Sequence, residues 1–182
     1  MKKSKQYFLA ALSIALTAFF TYPASAQQKS KDKKVVADAV QAKADFISTD
    51  GQMNSLFTNA YAYAIFPNIG KGAIGIGGAA GNGAVFQNRG LVGMAKMKQL
   101  TVGFQWGGQA YREVIFFENK AAFDRFKENK LEFSAQASAV AVTAGASANA
   151  KYHEGVMIFS QVKGGLMYEA SIGGQKFEFR KL

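Results

Sequence analysis

The sequence predicts an α+β fold: a single domain in which two N-terminal amphipathic helices pack on a glycine-rich, mainly antiparallel β-sheet. Three observations lead to this prediction. Apolar residues recur at helical spacing as far as residue 65, the apolar period shortens to two after Gly70, and a short helical segment near 120–129 interrupts the alternating region. Helices and strands that are segregated along the chain are typical of the α+β class.

The first 26 residues carry the three parts of a secretory signal peptide. A start containing three lysines is followed by an almost continuously apolar stretch over 7–20 and by an Ala-Ser-Ala cleavage site at 24–26. We therefore expect a protein exported to the periplasm or envelope, with Gln27 as the first residue of the mature chain. The sequence contains no cysteine, so neither a lipid anchor on cysteine nor a disulfide is expected.

Two amphipathic helices are predicted before the sheet. Residues 27–34 are polar and basic and predict a flexible leader, after which the domain is expected to extend over 35–182. An apolar stripe that includes Phe46 and Ile47 predicts a first helix over 35–47. A second helix is predicted over 52–65, ended by Pro67, because six apolar residues follow helical spacing. The six are Met53, Leu56, Phe57, Ala60, Tyr61 and Ala64.

Strands are predicted from Gly70 onward, because larger apolar residues alternate there with small ones. Asn82-Gly83 is typical of a tight hairpin turn, and a second turn is predicted at 88–90. Further strands are predicted over 91–98, 100–106 and 112–117, with a bulge or bend at Gly107-Gly108.

A short helix is predicted after Asn119, whose side chain suits the N-cap position, with Phe123 and Phe126 on its inner face. Beyond this helix, an alternation of small residues favours a strand over 131–150 that turns at Gly145. Strands over 155–162 and 165–172, and a last strand after Gly173-Gly174, complete the expected sheet.

Residues 75–80 formally fit the dinucleotide-binding pattern G-x-G-x-x-A. Such a site needs a helix directly after the glycines and an acidic residue about 20 positions further on. Gly81-Asn82-Gly83 follows instead, and no acid lies at 95–98, so no nucleotide partner is predicted. Every second residue from Ala73 to Gly83 is alanine or glycine. This pattern predicts a strand face without large side chains, which another backbone or helix can approach closely, and the helix over 52–65 is its expected neighbour.

The balance of charge favours an anionic partner. The formal net charge is +10, and three of these charges lie in the first 26 residues, so the rest of the chain carries about +7. Export argues against nucleic acid as a partner. Anionic phospholipid at a membrane surface is the polyanion that we expect in that compartment.

Catalysis is not predicted. The chain has one histidine, His153, and no cysteine, which excludes thiol catalysis and zinc sites built from Cys and His. No serine lies in a G-x-S-x-G element, and the acidic residues are dispersed. We expect a non-enzymatic protein with no metal and no cofactor.

Three segments, in order, resemble the SYLF domain family. They read AIFPNIGKGAIGIGGAAGNGAV, LTVGFQWGGQAYREVIFFEN and FSQVKGGLMYEASIGG, and the resemblance extends over about residues 35–175. It implies a lipid-binding module, because eukaryotic relatives bind phosphoinositides. Some of those relatives also bind actin filaments, a partner that we do not expect for an exported protein, and bacterial relatives are exported.

The resemblance also implies which residues contact lipid, since lipid binding in the family is associated with a basic, amphipathic N-terminal segment. Residues 95–98 (Ala-Lys-Met-Lys) stand where relatives often carry a Pro-aromatic stretch. The lipid selectivity of those relatives is therefore not expected for this chain. The lipid-contact residues implied for this chain are Lys31, Lys33, Lys34, Lys43, Phe46, Ile47, Lys71 and Lys163.

The sequence therefore predicts an exported module that associates peripherally with anionic membrane lipids. Phe46 and Ile47 are expected to add apolar insertion, provided that the first helix is not already packed on the sheet. Two alternatives stay open. One is a soluble envelope scaffolding or protein-interaction domain. The other is an integral outer-membrane β-barrel, which the alternating strands favour and the helices, including the one at 120–129, do not.

Overall fold

A computed structural model describes residues 24–74, 76–101, 110–131, 133, 138–163, 170–171 and 174–182. The chain divides into two compact units, Met1–Lys34 and Val35–Leu182. Most of the predicted signal peptide, Gly107-Gly108 and Gly173 lie outside the described residues. No helix in the described part of the chain combines the length and the apolarity needed to cross a membrane.

The predicted α+β class is confirmed. The described helices are α1 (Ala24–Thr49), α2 (Met53–Asn59) and α3 (Lys120–Lys127), with a 3-10 turn at Ala146–Asn149. The described strands are β1 (Ala62–Ile74), β2 (Ile76–Gln87), β3 (Gly90–Thr101), β4 (Ala110–Phe117), β5 (Ser138–Ala141), β6 (Val156–Val162), β7 (Ala170–Ser171) and β8 (Gln175–Lys181).

The described strands form one sheet in the order β7-β5-β6-β4-β1-β2-β3-β8. The β5–β6 pair is parallel and the other described pairs are antiparallel, which confirms the prediction of a mainly antiparallel sheet. Strand β8, close to the end of the chain, lies at one edge next to β3.

Helix α1 is longer than the apolar stripe predicts. It begins at Ala24 and includes residues 27–34, for which the sequence predicts an irregular leader. Lysine and glutamine are good helix formers, and Gln28 Nε2 donates to Asp32 Oδ1 at 2.8 Å, one turn further along. The apolar stripe therefore marks the part of α1 that is packed, whereas the helix itself continues through the polar residues before it.

Helix α2 is shorter than predicted, because the chain leaves the helix after Asn59 and enters β1 at Ala62. Residues 62–66 satisfy a period of two as well as the helical spacing. Tyr63 and Ile65 are buried on one face of the sheet, and Ala64 and Phe66 on the other. Burial of both faces of the strand stabilises β1 over a continued helix.

Pro67 lies inside β1 instead of ending a helix. The pairing of β1 with both neighbouring strands shifts register at this residue. The shift toward β2 lies between Ile65 and Asn68, and the shift toward β4 lies between Phe66 and Ile69. Proline has no backbone N–H to donate, so it is tolerated within a sheet at an irregularity of this kind.

The turn predicted at Asn82-Gly83 is wrong, because β2 runs through this dipeptide to Gln87. The turn predicted at 88–90 is confirmed, with positive φ at Asn88 and Arg89. Glycine is needed at position 83 because the Phe66 ring packs against it: a Cβ there would lie 2.7 Å from Cδ1 of Phe66. Side chains of β1, and not the predicted helix over 52–65, therefore approach this small-residue face.

Helix α3 begins as predicted. The Asn119 side chain accepts a hydrogen bond from Ala122 N at 3.0 Å, and Phe123 and Phe126 are buried. The strand predicted over 131–150 is confirmed only for β5, with residues 132 and 134–137 outside the described part. Gly145 turns the chain as predicted, at φ 76°.

The sheet separates two hydrophobic clusters. On the helix face, the packed part of α1 and α2 cover a cluster that includes Phe46, Phe57, Phe116 and Phe159. On the opposite face, α3 covers a larger cluster. Strands β1 and β4 contribute buried residues to both clusters, so the centre of the sheet is buried on both sides.

Candidate functional site

Three of the lysines implied to contact lipid lie at the start of α1. Lys31, Lys33 and Lys34 are exposed, as is Lys29. Asp32 is the one acidic residue between positions 29 and 34. This segment, which we call the basic segment, therefore presents four cations and one carboxylate on consecutive helical turns. Clusters of this kind are attracted to anionic membrane surfaces.

Lys43 has a packing role. Its ammonium group lies 4.9 Å from the centre of the Phe57 ring and 5.3 Å from that of Tyr63, where cation–π attraction stabilises it. Burial, together with the positive charge of Arg89, lowers the pKa of Lys43. Its side chain is partly covered by α2 and the sheet, in contrast to the lysines of the basic segment.

The condition for apolar insertion is not met in this structure. Phe46 is 0% exposed and belongs to the cluster between α1 and the sheet, and Ile47 is partly buried against the same cluster. Contact of Phe46 with lipid would require α1 to leave the sheet. Among the residues of this helix whose burial is described, Val40 is the exposed large hydrophobic one, at 59%.

The last two predicted lysines lie on other elements than Lys43. Lys71 lies in β1, and its side chain is outside the described part of the structure. Lys163 follows β6 and is exposed, and its ammonium donates to the side-chain oxygen of Asn68. Asn68 Nδ2 in turn donates to Asp38 Oδ2 at 3.0 Å, so Lys163 takes part in a polar chain that reaches α1.

Polar contacts hold the end of α1 against the sheet. The Arg112 guanidinium forms an ion pair with Asp45, and the two side chains are 14% and 35% exposed. Gln161 Nε2 donates to Thr49 Oγ1 at 2.7 Å. The backbone N–H of Ser147 donates at 2.8 Å to the carboxylate of buried Asp50, which follows the helix directly. These contacts oppose the release of α1.

A buried polar cluster lies on the opposite face of the sheet. Glu113 is 0% exposed, and its Oε2 accepts a hydrogen bond of 3.1 Å from Gln175 Nε2. Gln99 Oε1 lies 3.4 Å from Tyr111 Oη and 3.5 Å from Gln175 Nε2. The other carboxylate oxygen of Glu113 has no hydrogen-bond partner among the described residues.

Burial raises the pKa of Glu113 to about 7, although its hydrogen bond from Gln175 acts in the opposite direction. Burial also raises the pKa of Tyr111, with a further contribution from the negative charge of Glu113. Near neutral pH this buried carboxyl is therefore close to its titration midpoint. Sequence reasoning missed the cluster, because Glu113 directly follows Arg112 in β4 and the sequence does not show which of these two charged side chains is buried.

A second basic region lies where β3 and β8 pair. We call it the basic strand face and define it as Lys96, Lys98, Lys176, Glu178 and Arg180, all of which are exposed. Lys98 Nζ lies 3.0 Å from Glu178 Oε1. The sequence carries a signal for this surface that sequence reasoning did not use. Charged residues alternate with apolar ones in AKMK and again in KFEFR.

The described residues hold no group of three or more His, Cys, Asp or Glu side chains arranged to bind a metal ion. His153, the single histidine of the sequence, is exposed in a turn beside Val156. The exposed charged surfaces described above are the basic segment on α1 and the basic strand face on the sheet.

Comparison with known proteins supports the SYLF resemblance. A model of the Ysc84 family, described as a Las17-binding protein actin regulator, matches residues 98–181, from β3 to the end of β8. The chain is also similar to Beta cell expansion factor A of Aeromonas veronii, at 34% identity over 123 residues. That alignment covers 67% of this chain and 47% of the relative, so the chain spans about half the length of this curated relative. The chain belongs to the SYLF (Ysc84) family.

Proposed function

We propose that this protein is an exported, non-enzymatic module that associates peripherally with anionic membrane lipids. The observation that carries the proposal is the basic segment, in which Lys29, Lys31, Lys33 and Lys34 are all exposed on helical turns. Family membership supports it, because the SYLF resemblance implies lipid binding. The net charge of +10 favours the same class of partner.

The strength of this contact follows from its charges. Each lysine near an anionic membrane surface contributes about 1 kcal/mol, so the four lysines of the basic segment alone contribute about 4 kcal/mol, which by itself corresponds to a Kd of about 1 mM. Phe46 is buried and adds no apolar insertion. We therefore expect weak binding that depends on anionic lipid and decreases as salt screens the charges.

Co-sedimentation with vesicles tests the proposal. The purified protein is mixed with vesicles of phosphatidylcholine alone, or of phosphatidylcholine with phosphatidylglycerol, at low and high salt. We expect binding to the anionic vesicles only, and weaker binding at high salt. Binding to neither vesicle at low salt would contradict the proposal.

The variant with Lys31→Gln, Lys33→Gln and Lys34→Gln tests the basic segment itself. Its affinity for anionic vesicles is expected to fall about 100-fold, because each of the three lysines contributes about 1 kcal/mol. The matched control replaces Lys120, Lys130 and Lys151 by Gln, since these lysines are also exposed and the change in net charge is the same. Equal binding by both variants would show that net charge, and not the basic segment, governs adsorption.

A protein-interaction role is the second candidate, because the description of the matching family names binding to Las17, a protein partner. For this chain the corresponding proposal is an envelope protein as the partner. A pull-down that retains one envelope protein in stoichiometric amount, together with no vesicle binding, would support this candidate over the lipid-binding one.

A further inference from the structure

We propose that the basic strand face is a second contact surface for an anionic bilayer, with Lys96, Lys98 and Lys176 binding lipid phosphates. This inference rests on the proposed function and names a surface of the sheet that acts in addition to the basic segment of α1. Four observations support it: the register of β3 and β8, the excess of positive charge, the position of two lysines away from the sheet edge, and the shape of the surface.

The register places the basic side chains on one face. Lys96 is directly opposite Glu178, and Lys98 is directly opposite Lys176. Residues directly opposite each other in an antiparallel pair project to the same side of the sheet. The residues of the other parity, Met97 and Phe177, are buried in the cluster under α3, so the lysines project from the solvent-facing side.

The face carries more positive charge than its own carboxylate balances. It holds four basic residues and one acid, Glu178. A hydrogen bond and the charge of Lys98, with a smaller contribution from Lys96, lower the pKa of Glu178. Lys98 directly opposite Lys176 is a like-charge pair, which is unfavourable for strand pairing. The ion pair of Lys98 with Glu178 offsets part of this repulsion, and an external anion would relieve the rest.

Protection of the sheet edge explains only part of the pattern. Lysines on an edge strand discourage pairing with another chain, and β8 is an edge strand, so Lys176 fits that explanation. Lys96 and Lys98 do not fit it. They lie on β3, which is paired with β2 on one side and with β8 on the other.

The shape of the surface selects the class of partner. On β2, Ala80 is opposite Lys98 and Asn82 is opposite Lys96, and both of these small residues are exposed. The face is therefore a three-stranded, solvent-facing sheet surface about 10 Å across, from the usual spacing of strands. Lysine ammonium groups on flexible stems bind phosphate as point charges. An extended array of phosphates, as at a bilayer surface, matches this arrangement.

The test compares three forms of the full protein on phosphatidylglycerol-containing vesicles at low salt. They are the wild type, the strand-face variant (Lys96→Gln, Lys98→Gln and Lys176→Gln) and the control variant (Lys120→Gln, Lys130→Gln and Lys151→Gln). Both variants lose the same charge from exposed positions. We expect the strand-face variant to bind about 100-fold more weakly, and the control variant to stay within a few-fold of the wild type.

Other outcomes separate this inference from the proposed function. Wild-type binding that the strand-face and control variants reduce equally would overturn the inference and leave the proposed function standing. No binding by the wild type would overturn both. Displacement of the protein from vesicles by inorganic phosphate, at constant ionic strength, would indicate a small-anion site and overturn the bilayer assignment.

A second variant keeps the test decisive if the strand-face variant does not fold. Ala80→Glu with Asn82→Glu leaves every lysine in place and adds carboxylates directly opposite Lys98 and Lys96. Binding to anionic vesicles is expected to fall about 30-fold, because two charges change at about 1 kcal/mol each. Unchanged binding by this folded variant would contradict the inference.

Discussion

Replacing Glu113 by glutamine tests the buried polar cluster most directly. The substitution keeps the shape of the side chain and an oxygen that accepts the hydrogen bond from Gln175, but it removes the group that titrates. Because Glu113 is 0% exposed, its charged form is disfavoured in the folded protein, and burial raises its pKa to about 7.

The sign of the effect follows from proton linkage. The carboxyl has its ordinary pKa of 4.5 in the unfolded chain and a pKa of about 7 in the folded one. Between these values the folded state holds a proton that the unfolded state releases, so the free energy of unfolding falls as the pH rises. The contribution is fully present below pH 4.5 and is lost as the pH rises through 7. The difference between the two pKa values corresponds to about 3 kcal/mol.

The assay is urea denaturation of the wild type and of Glu113→Gln, followed by circular dichroism, at a series of pH values between 4.5 and 8. We expect similar midpoints at the acid end and a variant that is more stable by about 3 kcal/mol at pH 8. With a typical urea slope, this difference shifts the midpoint by about 1–3 M. Glu178→Gln is the control, because that carboxylate is exposed and its pKa is lowered, out of the tested window.

Two results would refute the reasoning. The first is a wild-type protein whose stability does not change between pH 4.5 and 8. The second is a Glu113→Gln variant that keeps the wild-type slope, since the pH dependence would then arise from another group. A Glu178→Gln variant that lost the slope would point to the same conclusion.

Two further predictions concern the packing of α1 and of the glycine-rich strand. Phe46→Ala should lower the free energy of unfolding by about 3–5 kcal/mol, whereas Val40→Ala, at a residue 59% exposed, should change it by less than about 0.5 kcal/mol; urea denaturation of both variants measures the difference. Gly83→Ala should cost about 1–3 kcal/mol because its Cβ has no room, whereas Gly70→Ala, with no atom within 4 Å of the new Cβ, should be near neutral. Equal free energies of unfolding for the two members of either pair, measured by urea denaturation, would contradict the packing described.

The class of the fold could be predicted from the sequence because its signals are local. Asn119 followed by Phe123 and Phe126 predicts a capped helix with one apolar face, and the structure has that helix. The turn at Asn88 and Arg89 is set by neighbouring residues in the same way. Sequence reasoning succeeds where the residues that decide the conformation are adjacent in the chain.

The errors arise where distant residues decide. Residues 62–66 fit both a helix and a strand, and their pairing with Val114 and its neighbours in β4 selects the strand. Asn82-Gly83 favours a turn locally, yet the Phe66 ring beside Gly83 explains why glycine is needed within β2. Neither partner can be identified from the segment itself.

The candidate site divides in the same way. The exposure of Lys31, Lys33 and Lys34 follows from a polar segment with no apolar stripe. The burial of Phe46 depends on the tertiary packing of α1, and the basic strand face depends on the register that brings Lys98 opposite Lys176. These two residues are far apart in the sequence, so their proximity required the fold.

The burial of β1 and β4 on both faces affects how the domain opens. Release of α1 and α2 would leave one side of these strands in water while α3 still covered the other, so neither cluster can be lost without weakening the second. The two clusters therefore form one packed unit, and we expect the amides of β1 and β4 to be among the slowest to exchange with solvent. A membrane-bound state in which α1 is stripped from the sheet would cost a large share of the total stability. The proposed peripheral binding through exposed lysines would avoid this cost, because it would leave α1 packed on the sheet, and the hydrogen exchange of these strands should then be the same with and without vesicles.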